Sequence, residues 1–391
     1  MSASSRPPPA ETSNDESSRT PERSEPTKDE RWMSRAIELA RGGWPSPNPH
    51  VGAVVVRNDK AVGEGFHERA GLDHAEVVAL KAAGGEAKGA TLYVTLEPCN
   101  HHGRTAPCTD AILQAGIKQV VIACEDPNPH VDGGGIERLR GAGVDVVLGV
   151  CKQEGEAVIA PWTKFVTRGI PYVTIKLALS LDGRIATRSG ASKWVTGPDA
   201  RARVHALRAT QDAVGVGVGT VLSDDPNLTV RDTVGVSPTR VIFDTHLRTP
   251  LHARVVQTAT EVPTLLLAST DAPFENEEAL TSHGVEVLRT TTTAEGRLDV
   301  MAAITALAQR GVVALMVEGG AELAGSFLAT RLADELHAFI APILLGPRGR
   351  PGAVDWAGPE VPSKAPRIVS PQWELCGDDA HVFGRLVYPE D

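Results

Sequence analysis

Apolar residues fall into short runs and helical stripes that alternate from about residue 31 onwards. Continuous apolar runs at 51–56, 91–96 and 118–124 predict buried strands. Segments 74–83 and 108–116 predict helices, and polar turns separate them from the strands. Strands that alternate with helices indicate an α/β sandwich, in which helices pack on a central sheet.

A second strand–helix pattern follows a predicted connecting helix at 152–167. Its clearest elements are strands at 172–179, 213–218 and 312–317 and helices at 197–209 and 321–329. A chain of 391 residues is too long for one typical core. We therefore expect a first domain at 31–150, a connecting segment at 151–170 and a second α/β domain at 171–391.

Residues 1–30 differ in composition from the rest of the chain. They are rich in Ser, Pro, Thr, Glu and Arg and almost lack large apolar side chains, so we expect a disordered tail. The segment has no apolar region of the secretory type. Its acidic residues argue against an organelle transit peptide.

Composition and charge narrow the function classes. The net charge of −10 and the pI of about 5.7 disfavour binding to long RNA or DNA, which needs a basic surface. The sequence has no run of about 18 apolar residues, so we expect no membrane span. Five scattered cysteines predict a reducing, cytoplasmic setting without a disulfide framework. The sequence leaves open whether the chain forms a homo-oligomer.

A group of metal-ligating residue types lies between positions 74 and 108. His74 is followed two residues later by Glu76, and Pro98-Cys99 is followed by Cys108. One imidazole and two thiolates can form a three-ligand zinc site whose fourth position holds water, and zinc lowers the pKa of that water to roughly 7. This combination is typical of zinc deaminases of nucleobases, in which the glutamate carries the proton.

The spacing between the two cysteines departs from that pattern. Eight residues separate Cys99 from Cys108, where the general pattern has two. The inserted polar loop can return Cys108 to Cys99 and present Arg104 to an anionic substrate. Cys108 also opens a predicted helix, whose dipole and free amides favour a thiolate. We interpret His101 and His102 as loop residues, because a fourth protein ligand would exclude water.

The segment at 95–108, TLEPCNHHGRTAPC, closely resembles the bifunctional deaminase/reductase family of riboflavin biosynthesis, which usually has proline in place of Ala106. The resemblance implies a cytidine-deaminase-like three-layer fold for the first domain. It also implies that Asn48 lies beside the substrate base, where an amide can donate to and accept from a pyrimidine edge. A local turn cap is the alternative role for Asn48.

Two glycine segments of the second domain are candidates for phosphate binding. The segment at 215–220 has the wrong glycine spacing for a dinucleotide fingerprint. The segment VEGG at 317–320 is a better candidate, because it joins a predicted strand to a predicted helix with bare backbone amides. A close-packed joint without a ligand is the alternative. Lys176, inside a predicted strand, lies either at a sheet edge or in a site, since an unpaired buried lysine is costly.

Shorter motifs extend the resemblance over about residues 30–390. They are KL at 176–177, SLDGR at 180–184, SKW at 192–194, GTV at 219–221, DDP at 224–226, LTVR at 228–231 and VEGG at 317–320. They imply a dihydrofolate-reductase-like α/β fold that uses NADPH. The cofactor would face Ala178, Trp194, Thr220, Asp224, Thr245, Gly320, Ala321, Glu322, Leu323, Ala324, Gly325 and Ser326. The substrate would face Ser192, Arg208, Leu228, Arg231 and Glu318.

The resemblance implies two successive reactions on a small pyrimidine ribosyl phosphate. The first releases ammonia from a diaminopyrimidinone, and the second transfers hydride from NADPH to C1 of the ribosyl group. Lys176 is a candidate for polarising the sugar, and Arg208 and Arg231 can pair with its phosphate. For each arginine taken singly, a solvated surface position is the alternative.

Three other functions stay open. The chain could be a zinc deaminase of a free nucleoside or of tRNA, a deaminase beside a domain that only binds nucleotide, or a non-enzymatic binding module. Ammonia release excludes the binding module. NADPH oxidation separates the bifunctional enzyme from a deaminase with an idle second domain.

Overall fold

The computed structural model describes residues 25–101, 106–129, 134–346 and 352–389. Within them the chain forms two sheets, and helices pack against both. No helix among these residues combines the length and apolar character needed to cross a bilayer.

The first sheet has five strands with helices on both faces. The strands are β1 (Gly52–Arg57), β2 (Lys60–Phe66), β3 (Thr91–Leu96), β4 (Gln119–Cys124) and β5 (Asp145–Leu148), and the helices are α1 (Lys28–Ala40), α2 (Ala75–Ala83), α3 (Cys108–Ala115), α4 (Gly135–Gly141) and α5 (Lys152–Arg168). The strand order is β2-β1-β3-β4-β5, with β3, β4 and β5 parallel. Alternate residues of β1 enter different apolar clusters: Val55 packs with Ala79 of α2, and Val54 packs with Ile37 of α1. This confirms the predicted α/β sandwich.

The second sheet has ten strands among the residues that the structure describes. They are β6 (Tyr172–Ser180), β7 (Ala213–Gly217), β8 (Thr239–Phe243), β9 (Thr264–Ser269), β10 (Glu286–Thr290), β11 (Ala314–Glu318), β12 (Glu335–Ala341), β13 (Arg367–Ile368), β14 (Gln372–Cys376) and β15 (Asp379–Val387). The order is β10-β9-β8-β7-β11-β6-β12-β15-β13, and β14 also pairs with β15. In this spatial order, the adjacent strands β10, β9, β8, β7, β11, β6 and β12 are parallel to one another. Strand β15 is antiparallel to β12 and to β14.

Within the described part of this domain, six helices flank the second sheet. They are α6 (Pro198–Arg208), α7 (Val218–Asp224), α8 (Arg254–Gln257), α9 (Phe274–Thr281), α10 (Val300–Ala308) and α11 (Ala321–Ala329). Two large apolar clusters lie among these elements, one around Leu315 and Phe327 and one around Ile242 and Leu266. The alternation of parallel strands and helices confirms the predicted α/β class of this domain.

Helix α5 connects the two sheets and packs against both. Its Ile159 and Trp162 belong to the apolar cluster of the first sheet. Val313, the residue directly before β11, belongs to the same cluster. Lys164, 9% exposed, donates to Asp334 at 2.5 Å and to the Leu332 carbonyl at 3.1 Å. The connecting helix predicted at 152–167 is therefore present as α5, and its apolar positions are packed as expected.

The N-terminal boundary needs a correction. The predicted disordered tail ended at residue 30, but α1 begins at Lys28. Thr27 accepts from the backbone N–H of Glu30, and the Glu30 carboxylate accepts from the backbone N–H of Thr27, which forms a capping box. Residues 1–24 of the predicted tail lie outside the described part of the chain.

Candidate active sites

His74, Cys99 and Cys108 meet near the carboxyl end of β3. His74 is the N-cap of α2, and Cys108 is the first residue of α3. The Nδ1 atom of His74 lies 3.2 Å from Cys108 Sγ and 3.5 Å from Cys99 Sγ, and the three ligand atoms lie within 4.8 Å of one another. One imidazole nitrogen and two sulfurs at this spacing fit a zinc ion with one open coordination position.

The two thiols differ in acidity. A hydrogen bond with Cys108, with a further one from His74, outweighs burial and lowers the pKa of Cys99 to about 4. The Cys99 sulfur and burial raise the pKa of Cys108. A bound cation would stabilise the second thiolate, because a thiol that coordinates a metal is deprotonated. The donor set therefore suits a metal better than it suits two free thiols.

Glu76 lies in the first turn of α2, two residues after His74. It is 4% exposed, and burial raises the pKa of its carboxyl. The Cys108 thiol makes a hydrogen bond with this carboxyl, so Glu76 borders the metal-ligating group. A carboxyl with a raised pKa beside a water-binding position suits a group that takes up and returns a proton near neutrality.

Asn48 is held in place by His67, which sequence reasoning missed. Asn48 Nδ2 lies 3.0 Å from His67 Nε2, and His67 Nδ1 lies 3.0 Å from the carbonyl of Asp73. The carbonyl fixes the proton on Nδ1, so Nε2 accepts from the amide. The His67 ring also meets the His74 ring edge to face at 5.2 Å. Among the described residues, no further hydrogen bond is made by Asn48 Oδ1 or by the second N–H of its amide, so both can bind another partner.

Glu97 fixes the Pro98-Cys99 segment from behind. Its carboxylate accepts from the backbone N–H groups of Asp126, Gly135 and Ile136 at 3.0–3.3 Å. A Cβ at Gly135 would lie 2.1 Å from the carbonyl oxygen of Pro98, so only glycine permits this approach. The N-terminus of α4 therefore helps to set the position of Cys99.

The loop between the two cysteines is partly described. His101 is exposed, whereas His102 and Arg104 lie outside the described residues. The predicted contact of Arg104 with an anionic substrate thus stays a prediction. Asn100 accepts from Arg138 of α4 at 3.0 Å, which anchors the beginning of the loop.

A second site lies in the other domain, where a cavity of about 980 Å³ opens at the carboxyl ends of β6, β7 and β11. Such an edge of a parallel sheet is where ligands bind in open α/β folds. Of the positions expected to face ligands, the cavity is lined by Lys176, Ala178, Ser192, Trp194, Arg208, Thr220, Asp224, Leu228, Arg231, Thr245, Glu318, Gly320, Ala321, Glu322, Leu323 and Ser326.

A buried ion-pair group forms the wall of this cavity. Arg208 Nε and Nη2 donate to the two carboxylate oxygens of Glu318 at 2.5 and 2.9 Å, and Nη1 donates to the Thr229 carbonyl at 2.9 Å. Lys176 Nζ lies 3.8 Å from Glu318. Burial opposes ionisation of Glu318, but Arg208 outweighs it and brings the pKa of this carboxyl down to about 2. Burial lowers the pKa of Lys176.

This arrangement changes the expected role of Arg208. Three of its five N–H donors are engaged within the protein, so the bidentate face that was expected to bind phosphate is used by Glu318. Arg231 has no side-chain hydrogen bond or ion pair to the described residues. Its backbone N–H donates to His205 Nδ1 at 3.2 Å, which fixes its position at the cavity. Arg231 is the freer cation for an anionic ligand.

The Gly319-Gly320 joint borders the cavity at the N-terminus of α11. Both glycines have positive φ, +74° and +82°, and a Cβ at Gly319 would lie 3.3 Å from Thr220 Oγ1. A side chain is therefore strained here, while backbone amides stay accessible to phosphate oxygens. Nearby, Ser192 Oγ donates to Asp224 at 2.8 Å, and Arg201 lies 4.5 Å over the exposed Trp194 ring.

Two of the predicted cofactor-facing positions do not line the cavity. Ala324 is 2% exposed and belongs to the apolar cluster behind α11. Gly325 lies against the backbone of Asp355, whose carbonyl oxygen would be 2.0 Å from an added Cβ. The expectation for the continuous range 320–326 fails at these positions because a helix presents only one face to a cavity.

Family models match both parts of the chain. A model described as RibD C-terminal domain matches residues 171–382, and a model described as cytidine and deoxycytidylate deaminase zinc-binding region matches residues 26–124. The second match spans His74, Cys99 and the intervening strand β3. Both matches agree with the fold class that the sequence predicted.

Full-length relatives cover most of the chain. The riboflavin biosynthesis protein RibD of Aquifex aeolicus is 46% identical over 321 residues, which is 81% of this chain and 88% of that protein. The structure of Acinetobacter baumannii RibD, form 1, has a TM-score of 0.80 at 38% identity and covers 93% of this chain and 99% of that chain. A Thermotoga maritima structure described as a diaminohydroxyphosphoribosylaminopyrimidine deaminase/5-amino-6-(5-phosphoribosylamino)uracil reductase has a TM-score of 0.80 at 36% identity, covering 92% and 99%.

Proposed function

The chain belongs to the RibD family of bifunctional riboflavin biosynthesis enzymes, and from that membership we propose that its two sites act in sequence on one pyrimidine ribosyl phosphate. The proposed substrate is 2,5-diamino-6-ribosylamino-4(3H)-pyrimidinone 5′-phosphate. The description of the Thermotoga relative as a deaminase of a diaminohydroxyphosphoribosylaminopyrimidine supports this choice. The first domain would release ammonia, and the second would reduce the ribosyl group to ribityl.

In the deaminase step, a zinc ion held by His74, Cys99 and Cys108 would supply an activated water. Glu76 takes the proton from this water and returns it to the departing amino nitrogen. Its burial and raised pKa favour both transfers. Asn48, oriented by His67, holds the pyrimidine edge through its free amide oxygen and N–H.

In the reductase step, a reduced nicotinamide nucleotide, which we propose is NADPH, would supply a hydride to C1 of the ribosyl group in its ring-opened imine form, and the imine nitrogen would take up a proton from solvent. The Gly319-Gly320 joint and the N-terminus of α11 would hold its phosphates. Arg231 would bind the substrate phosphate, with the remaining N–H groups of Arg208 beside it. Lys176 would polarise the sugar.

The remaining cavity residues keep the roles that the resemblance implies. The cofactor would contact Ala178, Trp194, Thr220, Asp224, Thr245, Ala321, Glu322, Leu323 and Ser326, and the substrate would contact Ser192, Leu228 and Glu318. We further propose a deaminase domain that ends near residue 150, α5 as the connector and a reductase domain from residue 171. The free cysteines support our proposal of a reducing, cytoplasmic setting.

The observation that carries the proposal is the meeting of His74, Cys99 and Cys108 beside the buried Glu76. To test it, ammonia and NADPH absorbance are followed together on the proposed substrate. We expect ammonia without NADPH and NADPH oxidation once it is added. Glu76→Gln should abolish ammonia release, whereas Glu86→Gln, an exposed glutamate of the same domain, should not.

Two outcomes would contradict parts of the proposal. If the zinc-loaded protein releases no ammonia, the substrate assignment is wrong. If ammonia is released but neither NADPH nor NADH is oxidised, the second domain binds nucleotide without reducing this substrate.

A further inference from the structure

Three metal-ligating side chains meet on the β14–β15 hairpin, far along the chain from the first-domain site. Glu374 and Cys376 are two residues apart on β14 and share a face of the strand, and His381 of β15 is paired directly with Glu374. The ligand atoms of the three residues lie within 4.8 Å of one another. His381 is fully buried and Cys376 is 9% exposed.

The His381 ring is held firmly. It stacks on Phe339 at 4.0 Å and on Phe383 at 4.5 Å. Its Nδ1 lies 2.8 Å from Glu374 Oε1, and its Nε2 lies 3.0 Å from His337 Nδ1. Nδ1 of the ring therefore faces Glu374 on β14, and Nε2 faces His337 on β12.

The chain of contacts continues to a second carboxylate. His337 Nε2 lies 2.9 Å from Glu335 Oε1, and the Tyr172 hydroxyl donates to Glu335 Oε2 at 3.2 Å. The order is thus Glu335, His337, His381, Glu374, across strands β12, β15 and β14. On the far side, Arg203 of α6 donates to Glu374 at 3.0 Å.

The geometry of this chain points to a bound cation. The His381 ring is held by stacking on two aromatic rings and turns Nδ1 toward Glu374, on the face of β14 that also carries Cys376. A metal ion bound by His381 Nδ1 would leave two contacts in place, the one between His381 Nε2 and His337 Nδ1 and the one between His337 Nε2 and Glu335.

We propose that Glu374, Cys376 and His381 form a second metal site. The site would bind Zn²⁺ or a similar divalent cation that prefers thiolate ligands. Thiolate, imidazole and carboxylate are all zinc ligands, and the mixed set with sulfur disfavours magnesium and calcium. His381 would donate its other N–H to His337, which donates to Glu335. Such an outer chain from a ligating histidine to a carboxylate is common at metal sites.

The position of the site indicates a structural role. The ligands lie on the hairpin that closes the sheet beyond β12, and Cys376 packs with Ala200 and Val204 of α6. A metal ion here would hold β14 and β15 together under α6. Arg203 donates to Oε1 of Glu374, the oxygen that also lies 2.8 Å from His381 Nδ1, so Oε2 is the oxygen that would bind the metal while Arg203 stays in place. The site is outside the cavity of the reductase domain, so it does not depend on the proposed function.

The test is the zinc content of the full-length protein after saturation with Zn²⁺ and removal of free metal. We expect two zinc ions per chain in the unaltered protein and one in Cys376→Ser. Cys151→Ser, a cysteine outside both groups, should keep two. In a Cys99→Ser/Cys108→Ser background, one zinc should remain and should be lost when Cys376→Ser is added. Because this last comparison is made without the first-domain cysteines, it does not depend on whether the deaminase site binds zinc or is active.

Two further measurements keep the result decisive if Cys376→Ser does not fold. Glu335→Gln retains all three ligands but breaks the outer hydrogen-bond chain, so we expect about 10–100-fold weaker Zn²⁺ binding at this site. Co²⁺ added to the Cys99→Ser/Cys108→Ser protein should give a thiolate-to-cobalt absorption band. No zinc in the Cys99→Ser/Cys108→Ser protein, or no cobalt–thiolate band in that double variant, would overturn the proposal.

Discussion

Arg208→Met provides the sharpest test of how the reductase cavity is built. The substitution removes the guanidinium that binds both oxygens of Glu318, and it leaves a carboxylate with 7% side-chain exposure. Removing one partner of a buried ion pair typically costs about 3–5 kcal/mol. Lys176, at 3.8 Å, still offers partial compensation, so we expect the lower end, about 3 kcal/mol.

This loss should appear in the thermal unfolding of the second domain. For a domain of roughly 200 residues, 1 kcal/mol corresponds to about 2–4 °C, so the midpoint should fall by about 6–12 °C. The double variant Arg208→Met/Glu318→Gln removes the unpaired charge and should recover at least about 1 kcal/mol. Scanning calorimetry on Arg208→Met, Glu318→Gln, the double variant and the unaltered protein gives the coupling energy.

Arg231→Met is the matched control, because Arg231 is exposed and lines the same cavity. It should change the unfolding free energy by no more than about 0.5 kcal/mol. Loss of a charge-assisted bond to phosphate is worth about 1.5–3 kcal/mol, which raises the reductase KM by roughly 10–150-fold. Equal destabilisation by both substitutions, or an unchanged midpoint in Arg208→Met, would refute the distinction between the two arginines.

Three further predictions concern binding, pH and the domain junction. Asn48→Ala should raise the KM for ammonia release and leave NADPH oxidation on the deaminated intermediate unchanged; an unchanged KM would exclude Asn48 from the base site. The pKa of Glu318 is about 2 in the folded protein against an ordinary 4.5, so its stabilisation is complete above about pH 4.5 and is lost as the pH falls toward 2. The unfolding free energy of Glu318→Gln should therefore fall less steeply with decreasing pH than that of the unaltered protein. Parallel curves would contradict the lowered pKa of Glu318. Lys164→Met should cost about 3 kcal/mol by leaving Asp334 unpaired, whereas Lys152→Met, which breaks an exposed pair, should cost less than about 0.5 kcal/mol; equal unfolding midpoints would refute this.

The parts of the molecule that the sequence predicted are those encoded by short spacings. Strand β3 and helix α11 have the predicted bounds, because apolar runs and glycine joints are local signals. The metal-ligating group was also predicted, since His74 and Cys108 are fixed at helix N-termini by their own neighbours. Local signals did less well at α1, where the capping box at Thr27 lies inside the predicted tail.

Contacts between distant positions could not be predicted. Arg208 and Glu318 are 110 residues apart, and only the adjacency of α6 and β11 brings them together. His67 has no motif spacing that marks it as the partner of Asn48. Cys376 looked like a scattered cysteine, because it approaches His381 only through the register of β14 and β15, in which His381 is paired with Glu374.

The most direct test of two separate sites is the Glu76→Gln protein supplied with each of two substrates. With the diaminopyrimidinone, neither ammonia release nor NADPH oxidation should be observed. With the already deaminated uracil intermediate, NADPH oxidation should proceed at the rate of the unaltered enzyme. If Glu76→Gln also abolishes reduction of the deaminated intermediate while the protein stays folded, the two reactions do not occur at the two separate sites described above.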